Sequence, residues 1–395
     1  MTPADIHRIL VIKLRHIGDV LLTTPVYRAI KSKLPETHTS VLVNSGTEQM
    51  MTGNPNIDEI IVFDRSIKKL PLIKRFKSET FFLREIRDRG FDTTIDLTGG
   101  DRGAIASYFC GAGLRIGRHT HKFSLWGKKT LYTDLTRVDH TQHVVVQNLQ
   151  MLKTLSINDV QRHALVEIHV PDEVMQTVSK ALEARAVCYS DTLVHMHPMS
   201  RWFFKCWKDD YTAEIITWLN KNGVKVILTA APDAKERERL ERIVSLTALS
   251  ATERNGGLIT LDGSISLKTL AAISARCAVF FGVDSAPMHI AAAVNTPVAA
   301  LFGPTCAFNW GPWDNEARSL HPYPHRSGVQ ICGIHTVIQR DWPCIPCNQD
   351  GCNGSKISNC LDDITPDEVK QALTKKLNNR TKKEGGGLAP PQTPL

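Results

Sequence analysis

The sequence predicts an α/β protein made of two doubly wound domains with parallel sheets. Three observations lead there. Short apolar, β-favouring runs alternate with helical patterns from Arg8 onward, which builds βαβ units instead of hairpins. The alternation thins over residues 156–190 and resumes at Leu193–His197. A chain of 395 residues also has the length of about two domains. The expected division is 1–170 for a first Rossmann-like domain, 171–190 for a linker and 191–362 for a second Rossmann-like domain. Residues 363–379 are then a C-terminal helix and 380–395 a disordered tail.

In order, Arg8–Lys13 (RILVIK) is a buried-type strand followed by the loop Arg15–Val20. Leu21–Leu34 has helical spacing, with Pro25 near its start, where a missing N–H does least damage. Thr39–Val43 and Glu59–Phe63 are strands around the turn Asn54-Pro55-Asn56. Thr80–Arg89 is a helix closed by Gly90. Phe91–Leu97 is a strand that ends in Thr98-Gly99-Gly100-Asp101, and Ala104–Cys110 is the helix after it. Val144–Leu155 and Val174–Ala186 are helical. The second domain opens with Leu193–His197 and continues with strands Val224–Leu228 and Leu258–Leu261. Asp209 or Asp210 is expected to cap a helix that stops at Asn222-Gly223. Asp233 opens a charged helix and Ser266 caps another. Ala278–Val283, the helix Met288–Val294 and the strand VAALF form one further βαβ unit, with Asp284 or Ser285 expected to cap its helix. Beyond Pro304 the pattern thins until a last helix, Thr365–Leu377. Thr365 is its N-cap and Asp367-Glu368 its acidic first turn. Lys382–Leu395 is rich in Gly and Pro.

Apolar residues make up 42% of the chain and charged residues 22%, ordinary values for a protein that buries real cores. No run of about 18 apolar residues occurs, so no transmembrane helix is expected. The opening lacks a signal-peptide pattern, so the expected location is the cytoplasm. The net charge of +8 is uneven. Cations crowd Arg65–Arg89 and Arg115–Arg137, and such patches attract phosphates or an anionic membrane surface. Interleaved aromatics are sparse, which argues against nucleic acid as the partner.

The chemistry is expected at the strand ends. The loop after a strand in a βαβ unit presents backbone N–H groups and the positive end of a helix dipole. Asp284, Ser285, Ala286, Pro287 and Met288 occupy such a loop, with small residues that let a diphosphate approach closely. Asp19, directly after Gly18, puts an acid in the first loop of the first domain; alone it reads first as a helix cap. An acid on one domain and an anion seat on the other suit group transfer from a phosphate-bearing donor.

Three blocks carry a family resemblance: ILVIKLRHIGDVLLTTPVYRAIK at Ile9–Lys31, HPMSRWFFKCW at His197–Trp207, and FFGVDSAPMHIAAAVNTPVAALFGPT at Phe280–Thr305. Together they resemble the bacterial lipopolysaccharide core heptosyltransferases of glycosyltransferase family 9. The Trp-rich middle block is most similar to the third heptosyltransferase. The resemblance implies a GT-B enzyme whose two domains face each other across a cleft. It implies ADP-heptose as donor, a lipid-anchored lipopolysaccharide inner core as acceptor, inversion at the anomeric carbon, and a cytoplasmic protein peripheral to the inner membrane. Asp19 falls on the family's general base. Lys205 falls on the basic residue that contacts the donor diphosphate; a second alignment puts that role on Arg201, and Ser200 belongs to the same donor block. Asp284, Ser285 and His289 fall on the D-[ST]-x-x-x-H pattern. Arg15, His16, Arg118 and Lys122 are expected on the acceptor side. Rival readings are a heptosyltransferase acting earlier in the core, a nucleotide-sugar epimerase of similar architecture, and a nucleotide-binding tether without turnover.

No DxD-like acidic cluster demands a divalent ion, so no cofactor is expected. Cys344, Cys347, Cys352 and Cys360 are clustered in sequence and are candidates for a structural zinc or a set of thiols. His195 and His197 alternate along a strand and are expected to face opposite sides, which keeps them from sharing an ion.

Overall fold

The computed structural model describes residues 6–119, 128–261, 263 and 265–384. The chain forms two compact units: residues 1–171 with 315–322, and residues 172–314 with 323–395.

Unit 1 contains β1 (Arg8–Lys13), α1 (Ile17–Leu21), α2 (Thr24–Lys33), β2 (His38–Asn44), β3 (Glu59–Phe63), α3 (Leu72–Asp88), β4 (Thr93–Asp96), α4 (Asp101–Phe109), β5 (Leu114–Arg118), β6 (Asp134–Thr136), α5 (Val144–Gln150) and α6 (Val160–His163). Its six strands are all parallel, in the order β3-β2-β1-β4-β5-β6. Ile9–Ile12 and Val41–Val43 are fully buried, as expected of strands covered on both faces. The single helix expected over Leu21–Leu34 is two. It breaks at Leu22-Thr23 and restarts at Thr24 with Pro25 in the first turn, the position where proline costs no hydrogen bond. α3 begins at Leu72, eight residues before the expected Thr80. Its first two turns bury nothing, so no apolar stripe marks them.

Unit 2 contains α7 (Asp172–Glu183), β7 (Leu193–His197), α8 (Asp209–Lys221), β8 (Lys225–Thr229), α9 (Ala234–Leu246), α10 (Ala251–Gly257), β9 (Leu258–Leu261), α11 (Leu267–Arg276), β10 (Val279–Val283), α12 (Ala286–Ala293), β11 (Val298–Phe302), α13 (Ala307–Trp310), β12 (Gln330–Cys332), β13 (His335–Gln339), α14 (Asn359–Asp362) and α15 (Pro366–Glu384). The sheet order is β12-β13-β11-β10-β7-β8-β9, with only β12 antiparallel. Three expectations change here. The stretch 171–190 is no free linker, because α7 packs on α11 within unit 2. Asp209 does not cap α8; its carboxylate is taken by Arg239, 2.6 Å away, and by Arg242. The last helix runs to Glu384 and absorbs the start of the expected tail. Residues 385–395 lie outside the described residues. Other caps form as expected: Asp233 accepts from Lys235 and Glu236 N–H, and Ser266 from Thr269 N–H. β12 and β13 complete the sheet beyond Pro304, where short strands with mixed polarity hide the pattern.

Candidate active site

In unit 1 the sheet order reverses between β1 and β4. Ligands of doubly wound sheets bind beyond the strand ends at such a reversal. The two loops are tied together there. Leu14 N–H donates to Thr98 Oγ1 at 2.8 Å, the Arg15 guanidinium to the Thr98 carbonyl at 3.0 and 3.2 Å, and Lys13 Nζ to the Leu97 carbonyl at 3.2 Å. Asp19 sits in the first turn of α1, its carboxylate 3.9 Å from Lys13 Nζ. The N-cap of α1 is His16, with no side-chain cap bond. Asp19 is therefore not committed to capping, and its carboxylate is partly exposed.

Lys13 is 3% exposed. Burial pulls its ammonium down to about 8, against the pull of the Asp19 carboxylate, while Arg118 and Arg15 add to the lowering. Asp96, buried at the end of β4, accepts from Tyr132 Oη at 2.6 Å and Thr98 N–H at 2.7 Å. Gly103 lets α4 descend on that carboxylate, since a Cβ there would lie 2.5 Å from Asp96 Oδ1. Arg118, at the end of β5, donates to Gln147 Oε1 at 3.3 Å. Three cations and two carboxylates thus gather at the reversal. Lys13 and Asp96 were not among the candidates, and the one signal for Lys13 is a cation closing an otherwise apolar strand. His16 is exposed, and Lys122 lies outside the described residues.

The unfolded chain holds the Lys13 proton up to about 10.5, whereas the fold releases it near 8. Between those values the unfolded state binds more protons, so stability rises with pH. In the difference between the native chain and Lys13→Met, unfolding free energy should climb by about 1.4 kcal/mol per pH unit across that window. Denaturant titrations read this directly, and a flat difference means Lys13 titrates normally in the fold.

Unit 2 reverses between β7 and β10. Gly282 permits the close approach of these strands, because a Cβ would fall 2.5 Å from the His197 carbonyl oxygen. The loop after β7 carries Ser200, Arg201 and Lys205, and the loop after β10 carries Asp284 and Ser285. Lys205 Nζ donates to Asp284 Oδ2 at 2.6 Å, and Thr305 Oγ1 donates to the same oxygen at 2.7 Å. Burial raises the proton affinity of Asp284. The Lys205 charge and the bonds from Lys205 and Thr305 outweigh it, so the carboxyl titrates below its ordinary range. Thr305 is itself steadied by Gln339, which donates to the Gly303 and Thr305 carbonyls at 2.8 and 2.9 Å.

Ser285 is the N-cap of α12, yet its hydroxyl makes no cap bond and has no partner among the described residues. Asp284 does not cap either, its carboxylate being held by Lys205 and Thr305. The start of α12 therefore keeps the Ala286 N–H beside a fixed ammonium, while Pro287 has no N–H to offer. Ala286 and Pro287 form its small-residue first turn. Met288 points its side chain into the core, and its N–H donates to the Ser285 carbonyl at 3.2 Å. His289 is buried, close enough for its charge to act on Asp284. Ser200 is buried and shapes its loop, its Oγ accepting from Trp202 N–H at 3.3 Å. Arg201 is exposed, its guanidinium 5.5 Å from the Trp202 ring centre. Lys205, not Arg201, reaches the Asp284 loop.

Residues 80–327 match glycosyltransferase family 9 (heptosyltransferase). The chain belongs to this family. It is 30% identical over 302 residues to lipopolysaccharide heptosyltransferase 3 of Escherichia coli K12, covering 76% of this chain and 83% of that one. In structure it is similar to a family 9 glycosyltransferase from Veillonella parvula, with TM-score 0.74, 22% identity, and 94% and 97% of the two chains covered. It is also similar to an E. coli heptosyltransferase solved with ADP-2-deoxy-2-fluoro heptose, with TM-score 0.67, 19% identity, and 93% and 99% covered. Two Rossmann-like units of this kind make the GT-B fold.

In this family 9 glycosyltransferase the remaining candidates are structural. His195 and His197 share one face, contrary to expectation, because strand side chains repeat every two residues. Both rings meet Thr229 Oγ1 at 2.9 Å, and His195 Nδ1 also meets Ser274 Oγ at 2.8 Å. Burial lowers the two imidazoles to about 3 and about 4, so both are neutral at physiological pH. The cysteine cluster is partly gathered: burial raises Cys360 to about 11, and Cys352, Cys347 and Cys344 add to it. Among the described residues, no three His, Cys, Asp or Glu side chains converge as metal ligands, so the zinc reading finds no ligand set. A cavity of 1160 Å³ lined by Ala278, Pro297 and Thr336 lies at the amino ends of β10, β11 and β13. That is the opposite edge of the sheet from Lys205 and Asp284.

Proposed function

We propose that this glycosyltransferase moves heptose from ADP-heptose to the inner core of lipopolysaccharide with inversion, adding the branching third heptose. Inversion needs a base on one side of the anomeric carbon and a seat for the leaving diphosphate on the other. Asp19 is the base, within about 2.6–3.2 Å of the incoming hydroxyl in the reacting complex. Arg15, His16, Arg118 and Lys122 hold the phosphorylated acceptor. Lys205, Ser285 and the Ala286 N–H stabilise charge that develops on the leaving ADP, with Ser200, Arg201, Asp284, Pro287, Met288 and His289 completing the donor loop. The acceptor is lipid-anchored, so the enzyme works at the inner leaflet of the inner membrane. No cofactor beyond the donor is required.

The observation that carries this reading is the pairing of functions at the two reversal points. Unit 1 offers a carboxylate with no capping duty, and unit 2 an ammonium fixed beside an unoccupied hydroxyl and a helix start. The likeness to heptosyltransferase 3 supports the choice of the third heptose. The test is incubation with ADP-heptose and truncated cores bearing one or two heptoses. ADP should be released with one heptose added to the two-heptose core, and linkage analysis should show inversion. Transfer to the one-heptose core alone moves the enzyme to an earlier step. Conversion of the donor without acceptor makes it an epimerase.

A further inference from the structure

The first two turns of α3 project an apolar, basic surface whose apolar side chains are not packed on the core of the described residues. Leu72, Ile73 and Phe76 are 82%, 75% and 73% exposed. Phe76 lies one turn beyond both, at i+4 from Leu72 and i+3 from Ile73. Leu70, just ahead of the helix, is exposed as well. Only the later turns of α3 reach the core, through Ile86 with Phe82 and Leu83. Among the described residues, every exposed large apolar side chain of unit 1 lies between Val62 and Phe109. Leaving this much apolar surface in water is unfavourable and marks an interaction site.

The charge around the patch says what kind. Arg65–Lys77 holds six basic residues and no acid. Arg75 and Arg102 share one carboxylate, Glu79, at 3.2 Å each. Lys68 stands near enough to Arg102, Arg65 and Arg75 to lose proton affinity, on top of its partial burial. A protein-core partner would have to bury these cations at high cost. A bilayer interface takes both features at once: apolar side chains enter the headgroup boundary while lysines remain at the level of lipid phosphates.

We propose that residues 65–81 form an interfacial anchor that docks unit 1 on an anionic bilayer, with Leu72, Ile73 and Phe76 inserted and Lys68, Lys69, Lys74 and Lys77 against lipid phosphates. This deepens the membrane-surface reading given above and rests on it. Each lysine near an anionic surface contributes about 1 kcal/mol, so four together change partitioning by about a thousandfold.

The experiment is flotation of the full chain with vesicles of phosphatidylglycerol in phosphatidylcholine, and with phosphatidylcholine alone. The native chain should float with the anionic vesicles and be released by high salt. Lys68→Gln/Lys69→Gln/Lys74→Gln/Lys77→Gln should lose at least a hundredfold in partitioning. Leu72→Ser/Ile73→Ser/Phe76→Ser should lose anionic-vesicle binding while its turnover of a short, lipid-free acceptor stays native. These side chains are exposed, so the fold is not at risk, and the native melting temperature checks it. Flotation needs no catalysis, so failure of the glycosyl-transfer reading leaves this result interpretable. Three outcomes overturn the anchor: no flotation of the native chain, equal flotation of the serine variant, or a serine variant that changes only from dimer to monomer, which makes the patch a contact between copies.

Discussion

Asp19→Ala should lower heptose transfer about 10²–10⁴-fold, the range for loss of a general base, while ADP affinity measured by calorimetry stays unchanged. The separation follows from the architecture. Asp19 belongs to unit 1, it caps nothing, and its carboxylate stands 3.9 Å from Lys13 Nζ. Removing it takes a counter-charge from the buried Lys13 ammonium, so denaturant unfolding of the variant is measured beside its rate, and a loss of rate in a folded variant is the loss of the base. Asp19→Asn should fail as completely, because an amide keeps the shape but takes no proton. Transfer at a normal rate in either variant ends the assignment.

Lys205→Met should act twice. It strips the cation from a carboxylate that burial alone would push toward the protonated form. Breaking a buried pair from one side costs about 3–5 kcal/mol, read by denaturant unfolding near neutral pH. The sign with pH is fixed by the partner. In the native chain Asp284 titrates below its unfolded value, so its stabilisation is present above that value and disappears as pH falls through the folded one. In the variant the carboxyl takes up a proton more readily, so the penalty should shrink on acidification. The second effect is on turnover. Loss of one preorganised stabiliser of leaving-group charge costs about 10²–10³ in kcat. Lys205→Arg should recover part of the stability through its charge, but less of the rate, since a planar guanidinium does not reproduce a compact ammonium. A variant with native stability and weakened turnover would show that the Asp284 pair contributes nothing to the fold.

Much of the fold was legible because its strands are buried on both faces. Continuous apolar runs such as ILVI and VAALF leave no amphipathic ambiguity, and Asp233, Ser266 and Thr365 announce helices through local bonds. Elements without such marks were lost or misread. The front of α3 buries nothing, β12 and β13 are short and mixed, and Asp209 looked like a cap until Arg239 and Arg242 claimed it. The site followed the same division. Asp19, Lys205 and Asp284 stand in motifs that the sequence displays, whereas Lys13, Asp96, Thr305 and Gln339 do not.

By itself, the sequence determined the βαβ alternation, the two-domain plan and the family, because each rests on residues near one another along the chain. Tertiary structure alone decided which groups share a site. Lys205 and Asp284 are 79 positions apart and meet at 2.6 Å; Lys13 and Leu97 are 84 apart. Parallel strand order sets those meetings: neighbours in the sheet are remote in sequence, and hydrogen bonds, burial and charge act through space.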